Sequence, residues 1–209
     1  ASASANAVKE GNTGGGTGMI CYEFKGGTGS SSRIVSIDGK DYTVGVLVQA
    51  NHGVRDWLTI LGEPIGKQLV QDRLFNREQG SIIAIIATDL PMRPDQLERL
   101  ARRGAIGIGR SGTPGGNNSG DIFLAFSTAN PRPRPGQGEK IQSAVHVADD
   151  CLDSVYVAAV EATDEAIINA MFSAEDMTCL KAEGVLCKAI DIAAVVQILT
   201  KAGKCNPQQ

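Results

Sequence analysis

Short apolar runs, separated by glycine-rich and polar stretches, dominate the pattern of this chain. The run Ile82–Thr88 is continuously apolar, which is typical of a strand buried on both faces. The sequence Asp38-Gly39-Lys40 is a turn signature, so Ser36–Ala50 is predicted to form a hairpin. The pattern predicts five strands, with Lys25–Ser32 as a loop after the first: Met19–Phe24, Ile34–Ile37, Tyr42–Ala50, Ile82–Thr88 and Ile122–Ser127.

Three segments have helical character. Asp95–Gly107 repeats apolar residues at helical spacing behind Pro94, and Ala189–Lys201 is amphipathic. The stretch Leu152–Ala174 ends as a helix, for which Thr163 is a plausible N-cap. Because strands and helices mix without a regular βαβ rhythm, the chain is predicted to be an α+β protein. Three segments are predicted to be loops: Val70–Gln79 as an exposed, cleavable linker, Ser111–Gly120, and the proline-containing Arg132–Gly138.

Composition narrows the function classes. The chain has 209 residues, a net charge of −3 and 4% aromatic residues, so neither a basic nor a base-stacking surface for nucleic acid is expected. No apolar run reaches the length of about 18 residues that a membrane-spanning helix needs. The compartment stays open between cytoplasm and periplasm. Five cysteines cannot all pair internally; free thiols are predicted, and a bridge between Cys179 and Cys187 stays an alternative.

The junction Gly80-Ser81, immediately before the apolar run, is the most informative candidate for chemistry. If the chain cleaves itself there, Ser81 carries both a hydroxyl nucleophile and a free α-amine. An α-amine has a pKa of about 7.7–8.0, so it accepts the hydroxyl proton near neutral pH. Glycine at position 80 tolerates the backbone conformation that an attack on its own carbonyl requires. The alternative is a simple turn before a strand.

Several long blocks, in one order along the chain, support the self-cleavage interpretation. The stretch SIIAIIATDLPMRPDQLERLARRGAIGIGRSGTPGGNNSGDIFLAFSTAN (81–130) resembles the start of the β subunit in the L-aminopeptidase/D-amidase-esterase and β-peptidyl aminopeptidase family. Those enzymes are self-processing hydrolases with an N-terminal serine nucleophile. Three further blocks resemble the same family: GNTGGGTGMICYEFKGGTGSSSR (11–33), VGVLVQANHG (44–53) and EAIINAMFSAEDM (165–177).

The resemblance implies an architecture. The family fold is an αββα sandwich, like that of other N-terminal nucleophile hydrolases. Residues 1–80 then correspond to the C-terminal part of the α subunit and residues 81–209 to the β subunit, together forming one structural domain. The family has a long region before the block at 11–18 that this chain lacks. That region is a separate chain, has been lost, or is missing because the chain is a fragment.

The resemblance also assigns site residues. Ser81 matches the nucleophile, and Ser119 and Asp121 match the polar pair that supports it. Some family members carry glutamate at the position of Asp121, so the shorter side chain puts its direct contact with Ser81 in question. Asn51 matches the asparagine whose side-chain amide faces the developing oxyanion, a role that suits a donor that does not titrate.

Other residues are weaker candidates. Gly15, Gly16 and Asn118 are expected to line the substrate pocket. Glycine lets backbone N–H groups approach a ligand, and a flexible turn over residues 14–18 stays an equal alternative. His52 is not expected to act as the base, since the N-terminal amine makes a histidine unnecessary. The only other histidine is His146, too few ligands for a metal site, and no cofactor is expected.

The sequence therefore predicts a self-processing aminopeptidase or amidase-esterase. Its expected substrates are short peptides, amino-acid amides or esters, with D- or β-residues accepted in some family members. The family assembles into oligomers of αβ units, so a homo-oligomer is expected. Two alternatives stay open: an acyltransferase similar to the ornithine acetyltransferases, whose nucleophile is threonine rather than serine, and an inactive scaffold.

Overall fold

The computed structural model describes residues 6–131, 138, 140–180 and 184–206. Within them the chain forms eight strands and five helices, with single 3₁₀ turns at Gly14–Gly16, Arg55–Trp57 and Asp149–Cys151. The strands are β1 (Ile20–Cys21), β2 (Phe24–Lys25), β3 (Gly27–Ile37), β4 (Lys40–Ala50), β5 (Ile83–Thr88), β6 (Ile122–Ser127), β7 (Met177–Thr178) and β8 (Leu186–Cys187). The helices are α1 (Ile65–Gln68), α2 (Pro94–Ala101), α3 (Arg103–Arg110), α4 (Leu152–Phe172) and α5 (Ile192–Lys201).

The central sheet has four strands in the order β3-β4-β5-β6. Its first two junctions are antiparallel, whereas β5 and β6 run parallel and are joined by a crossover through α2 and α3. Strand β4 lies before Gly80 and β5 after it, so both sides of the predicted cleavage point share one sheet. The predicted hairpin is confirmed, since β3 and β4 pair around the turn at Asp38-Gly39.

Helix α4 covers one face of the sheet, lying mainly on β3 and β4. Its buried stripe is built largely from alanine, which lets the helix lie close to the strands. At Gly29 the approach is so close that a Cβ would lie 2.7 Å from the Ala170 amide nitrogen. The α+β prediction is confirmed, and the main core lies between this helix and the sheet.

The opposite face of β5 and β6 is apolar and uncovered by other described elements. Parallel register places Ile122 and Leu124 beside Ile83 and Ile85 on that face. Leu124 is 53% exposed and Ile122 56% exposed. The expectation that Ile82–Thr88 is buried on both faces is therefore wrong for this chain alone, because Ile83 is exposed.

Two other strand expectations are corrected. Strand β3 starts at Gly27, so Lys25–Ser32 is mostly strand rather than loop. Its serines and glycines lack β propensity, but eleven registered pairs with β4 override that local preference. Met19–Phe24 is not one strand: β1 and β2 form a tight hairpin whose turn residues Tyr22 and Glu23 both have positive φ.

Helix boundaries also differ from expectation. The helix predicted over 95–107 is broken at Arg102 into α2 and α3, and Gly104, just after the break, packs under the ring of Phe123. Thr163 is not an N-cap, because α4 starts at Leu152 and buries Thr163 in its interior. There its hydroxyl donates to the Ala159 carbonyl oxygen (2.7 Å), which satisfies the buried polar group within the helix.

Three remaining expectations concern the rest of the chain. All five cysteines are free, so a bridge between Cys179 and Cys187 is not formed. None of the helices described is both long and apolar enough to cross a bilayer. The loop predicted at Arg132–Gly138 lies, apart from its last residue, outside the described residues.

Candidate active site

Ser81 lies at the start of β5, next to the loop that leads into β6. The N-terminal ends of parallel strands lie side by side, so the loop residues before Ile122 reach Ser81. The backbone N–H of Gly120 donates a hydrogen bond of 2.7 Å to Ser81 Oγ. This donor is fixed by the strand, and it stabilises negative charge on the serine oxygen.

Ser119 and Asp121, the predicted polar pair, lie in the same loop and contact each other. The Ser119 hydroxyl donates to Asp121 Oδ1 over 2.5 Å. The same carboxylate oxygen accepts the Ile82 backbone N–H at 3.0 Å. Asp121 therefore holds the residue that follows Ser81, and its described hydrogen bonds are to Ser119 and Ile82 rather than to Ser81 Oγ. The pair thus holds the backbone at the start of β5.

Asn51 reaches the site from the end of β4. Because Gln49 pairs with Ile83 in the antiparallel ladder, a residue two positions later lies opposite Ser81. Asn51 Oδ1 accepts the backbone N–H of Ile20 at 3.0 Å. That bond determines which way the amide points, so its NH₂ group lies toward Gly80. The Asn51 amide nitrogen therefore lies against the Gly80 backbone.

Gly80 packs directly on Asn51, which gives a structural reason for glycine at this position. A Cβ added to Gly80 would lie 2.7 Å from Asn51 Nδ2 and closer still to the Asn51 carbonyl oxygen. Gly80 does not have a positive φ, whereas ten other glycines among the described residues do. Close approach, rather than the conformational freedom expected from the sequence, is what excludes a side chain at position 80.

His52, next to Asn51, is buried, and its protonation state does not change near neutral pH. Burial lowers the pKa of its imidazole to about 4, so the ring is neutral. Its Nδ1 lies 3.7 Å from Cys21 Sγ, and its buried Nε2 has no hydrogen-bond partner among the residues that the structure describes. In the part of the chain that the structure describes, no group of three or more histidine, cysteine or acidic side chains could hold a metal ion.

The predicted pocket glycines lie at the same end of the sheet but do not touch Ser81. Gly15 lies against the side chain of Gln49. Gly16 is buried, and its carbonyl accepts from the buried Lys25 ammonium group at 3.0 Å. Lys25 also donates to the Met19 and Gly26 carbonyls, so it ties the glycine loop to β2, and burial lowers its pKa. Asn118 is exposed in the turn that precedes Ser119.

Two cavities lie near the site, and Asn51 lines the smaller of them. The smaller cavity has a volume of about 200 Å³ and is lined by Ile20, Asn51, His52, Gly53, Phe75, Gln79 and Gly80. The larger, about 510 Å³, is lined mainly by apolar side chains. Ile20 and Phe75 line both cavities, so the apolar space is continuous with the region around Asn51. The larger cavity is lined by Thr17, Gly18, Ile20, Leu74, Phe75, Met177, Thr178, Cys179, Leu180 and Val185.

Several residues of this region were missed by sequence reasoning. The Gly120 donor is a backbone atom, which leaves no signature in the sequence. Glu23, Arg55 and Glu78 are all buried charged side chains near the segment before Gly80. The available signal was the presence of two charged residues, Glu23 and Lys25, in or beside a predicted apolar strand. Buried charges are rare unless they are paired or hydrogen-bonded, so such residues indicate a specific polar contact.

Comparison with known proteins places this geometry in a family. Residues 1–185 match the model of Peptidase family S58. A β-peptidyl aminopeptidase, BapA, from Sphingosinicella microcystinivorans is 47% identical over 191 residues, which are 84% of this chain and 48% of that protein. The chain thus spans about half the length of the curated relatives it matches.

Solved structures agree with the sequence comparison. The L-aminopeptidase D-Ala-esterase/amidase from Ochrobactrum anthropi, a prototype of the serine aminopeptidases with a variant of the Ntn hydrolase fold, matches with a TM-score of 0.91 and 51% identity. The match covers 97% of this chain and 55% of that one. A β-aminopeptidase from Burkholderia sp. matches with a TM-score of 0.85, 40% identity, and coverage of 96% and 56%. The chain has the Ntn hydrolase fold of these proteins and belongs to Peptidase family S58.

Proposed function

We propose that this protein is a self-processing aminopeptidase and amidase-esterase that uses Ser81 as an N-terminal nucleophile. The observation that carries the proposal is the placement of Ser81 Oγ between a backbone donor and a glycine packed on an amide. Gly120 N–H lies 2.7 Å from the oxygen, and Gly80 lies against Asn51. Nucleophile, scissile peptide and oxyanion donor thus converge at one end of the sheet.

Processing begins with attack of Ser81 Oγ on the Gly80 carbonyl carbon. The C–N bond to Ser81 breaks, the hydroxyl proton passes to the leaving nitrogen, and an ester links Gly80 to the serine oxygen. Asn51 Nδ2 donates to the carbonyl oxygen while it carries negative charge. Water then hydrolyses the ester, leaving a carboxylate on Gly80 and a free amine on Ser81.

Turnover repeats this chemistry on a substrate. The new amine, with an ordinary pKa of about 7.7–8.0, removes the Ser81 hydroxyl proton as the oxygen attacks the carbonyl of the substrate's N-terminal residue. The proton passes to the leaving group, and an acyl-enzyme forms and is hydrolysed. Asp121 lies beside the Ile82 amide, where its carboxylate stabilises a positive charge on the neighbouring Ser81 nitrogen. Ser119 orients that carboxylate.

The relatives support a substrate class of short peptides and amino-acid amides or esters. One relative is a β-peptidyl aminopeptidase and another an L-aminopeptidase with D-Ala-esterase and amidase activity. We propose that this chain accepts the same kinds of N-terminal residue. The two cavities that share Ile20 and Phe75 offer space for a substrate, and Gly18 rather than Gly15, Gly16 or Asn118 is among the residues that line them.

The uncovered sheet face supports a larger assembly. In an αββα sandwich a second sheet packs on this surface, and Ile122, Leu124 and Phe126 have the apolar character that such packing requires.

We propose that residues 1–80 and 81–209 stay together as one domain after cleavage, because β4 and β5 are adjacent strands. We further propose a homo-oligomer of processed units, which light scattering coupled to size-exclusion chromatography would measure.

The deciding experiment follows cleavage and turnover in the natural full-length polypeptide. Wild-type protein is expected to show a new N-terminus at Ser81 by mass spectrometry and to release the first residue of a dipeptide or amino-acid amide. Ser81→Ala is expected to lose both activities while it keeps the same far-ultraviolet circular dichroism. Ser119→Ala, which keeps the nucleophile but removes the hydroxyl that contacts Asp121, is expected to be slowed rather than inactive.

Three outcomes contradict the proposal in different ways. Full processing or turnover by Ser81→Ala ends the assignment of the nucleophile. Preferential transfer of the acyl group to an added amine, rather than to water, favours an acyltransferase. An unbroken wild-type chain that does not react with a serine-acylating reagent favours an inactive scaffold.

A further inference from the structure

The segment before the proposed cleavage point, residues 69–80, is fixed by hydrogen bonds to buried charged side chains. Residues 71–73 and 76–77 are exposed, as the sequence predicts for a linker. Yet the segment contacts buried charged groups at several positions between Leu69 and Gly80. Burying the charged side chains that hold this loop costs desolvation free energy. That cost indicates that the conformation of the loop has a role.

The first tie is the buried side chain of Arg55. Its guanidinium donates to the carbonyl oxygens of Leu69 (2.7 Å) and Gln71 (2.9 Å). The same group donates to the Tyr22 and Glu23 carbonyls at 3.0 and 2.9 Å, and its carbon lies 3.4 Å from the centre of the Phe24 ring. Arg55 thus joins the start of the segment to the β1–β2 turn.

The second tie is the carboxylate of Glu23, which is also buried. Its Oε2 accepts the backbone N–H groups of Leu74 (2.8 Å) and Phe75 (3.0 Å). Its other oxygen accepts the backbone N–H of Arg55 at 2.8 Å. One carboxylate therefore connects the two backbones, and three donated hydrogen bonds compensate its burial.

The turn that carries Glu23 is itself strained. Tyr22 and Glu23 have φ angles of 50° and 64° at the two central positions of a tight hairpin. Such turns favour Asn-Gly, because positive φ is costly for large side chains. The Tyr22 hydroxyl is anchored 2.8 Å from Ser111 Oγ, so the surrounding structure holds the turn in place. This turn conformation places the Glu23 carboxylate within hydrogen-bond distance of the Leu74 and Phe75 amides.

Alternate residues after β4 complete the arrangement. Asn51 packs on Gly80, the Gly53 N–H donates to Glu78 Oε1 at 2.7 Å, and Arg55 holds Gln71 and Leu69. The stretch 51–55 therefore runs alongside the segment from the scissile bond backwards. A segment held at these points limits where Gly80 can lie relative to Ser81.

We propose that Glu23 and Arg55 are positioning residues for self-processing, which clamp residues 69–75 so that the Gly80 carbonyl is presented to Ser81. The proposal rests on the proposed function. The clamp acts through the covalent connection between the segment and Ser81. Cleavage breaks that connection, so the clamp matters for processing and not for the kcat of later turnover. Leu74 and Phe75 also line the larger cavity, so a change in KM is expected when the clamp is lost.

Glu23→Gln tests the clamp with little change in volume. An amide cannot accept at both ends, so either the Arg55 amide or the Leu74–Phe75 pair loses its acceptor. Processing, followed by the appearance of the Ser81 N-terminus, is expected to slow at least tenfold. Once processed, the variant is expected to keep a kcat within about twofold of wild type, which a general structural defect would not allow. Arg55→Lys keeps the positive charge but loses the planar guanidinium that donates to four carbonyl oxygens. It is expected to slow processing and to keep kcat in the same way as Glu23→Gln.

Gln96→Leu is the matched control. Gln96 is a buried polar side chain that bonds Val147 and Asp149, far from the clamp, so its loss destabilises the fold without touching the segment. It is expected to process at the wild-type rate. Wild-type processing in folded Glu23→Gln would overturn the proposal, as would equal slowing in Gln96→Leu and Glu23→Gln.

A second measurement decides the matter if the variants fail to fold. Hydrogen exchange on the uncleaved Ser81→Ala protein is expected to show protected amides at Leu74 and Phe75 inside an otherwise exposed segment. Exchange of these two amides at free-peptide rates would overturn the clamp. This measurement also separates the clamp from the proposed function, since protection can be found in a protein that never processes.

Discussion

The substitution Gly80→Ala tests the geometry of the proposed cleavage site most directly. A methyl group at this position would lie 2.7 Å from Asn51 Nδ2, and nearer to the Asn51 carbonyl oxygen. The first distance alone is about 1 Å short of ordinary van der Waals separation. Neither atom can yield freely, because Asn51 directly follows the central strand β4 and its side chain accepts a hydrogen bond from the Ile20 amide.

The backbone at position 80 must therefore move away from the oxyanion donor by a distance on the order of 1 Å. A misplacement of about 1 Å between reacting groups can lower a rate by ~10²-fold. We expect the self-cleavage rate of Gly80→Ala to fall by about that factor, while Ser81 itself is unchanged. Any fraction that does process is expected to turn over substrate with an ordinary kcat.

The assay is cell-free synthesis of the natural full-length polypeptide, quenched at intervals and analysed by mass spectrometry for the Ser81 N-terminus. Gly109→Ala is the control, because a Cβ at Gly109 meets nothing within 4 Å and alanine favours the α3 helix. We expect wild-type processing in the control. If Gly80→Ala processes as fast as the control and is folded, the close contact with Asn51 does not limit the reaction and the reasoning is refuted.

Three further predictions concern the site and the core. Asn51→Ala is expected to lower kcat by ~10²–10³-fold in steady-state assays of whatever protein has processed, because one oxyanion donor is worth about 2.7–4 kcal/mol; an unchanged kcat would remove Asn51 from that role. The pKa of His52 is about 4 in the folded protein and ordinarily 6.5, so the folded state is most favoured above pH 6.5. It loses up to about 3 kcal/mol of stability as the pH falls from 6.5 to 4. Urea unfolding of His52→Gln is expected to lack that part of the pH dependence, and equal slopes in the two proteins would contradict it. Gly29→Ala forces β3 away from Ala166 and is expected to lower the free energy of unfolding by about 1–3 kcal/mol. Gly45→Ala, whose nearest neighbour would be 3.9 Å away, is expected to change it by less, so similar losses would refute the steric argument.

Local patterns in the chain were strong enough to predict most of the elements. Ile122–Ser127 is predicted with its observed bounds, because an apolar run between polar turns needs no distant partner to be recognised. Strand β3 was missed over Gly27–Ser32, where serine and glycine carry no strand preference of their own. Only its pairing with β4 makes that stretch a strand.

The site divides in the same way. Ser81, Asn51, Ser119 and Asp121 could be nominated from the sequence, because each is a side chain within a block that resembles the family. Their roles stay predictions, and the structure adds that they lie at one end of the sheet. The Gly120 donor could not be nominated, since a backbone N–H is the same at every residue except proline.

By itself, the sequence determined the α+β class, the family and the nucleophile candidate, because these depend on local periodicity and on blocks of contiguous residues. The tertiary structure decided which groups meet across large separations in the chain. It brought the Glu23 carboxylate to the Leu74 and Phe75 amides and packed Gly80 on Asn51. Such contacts follow from strand register and buried hydrogen bonding, which act through space and leave no regular spacing for a sequence to reveal.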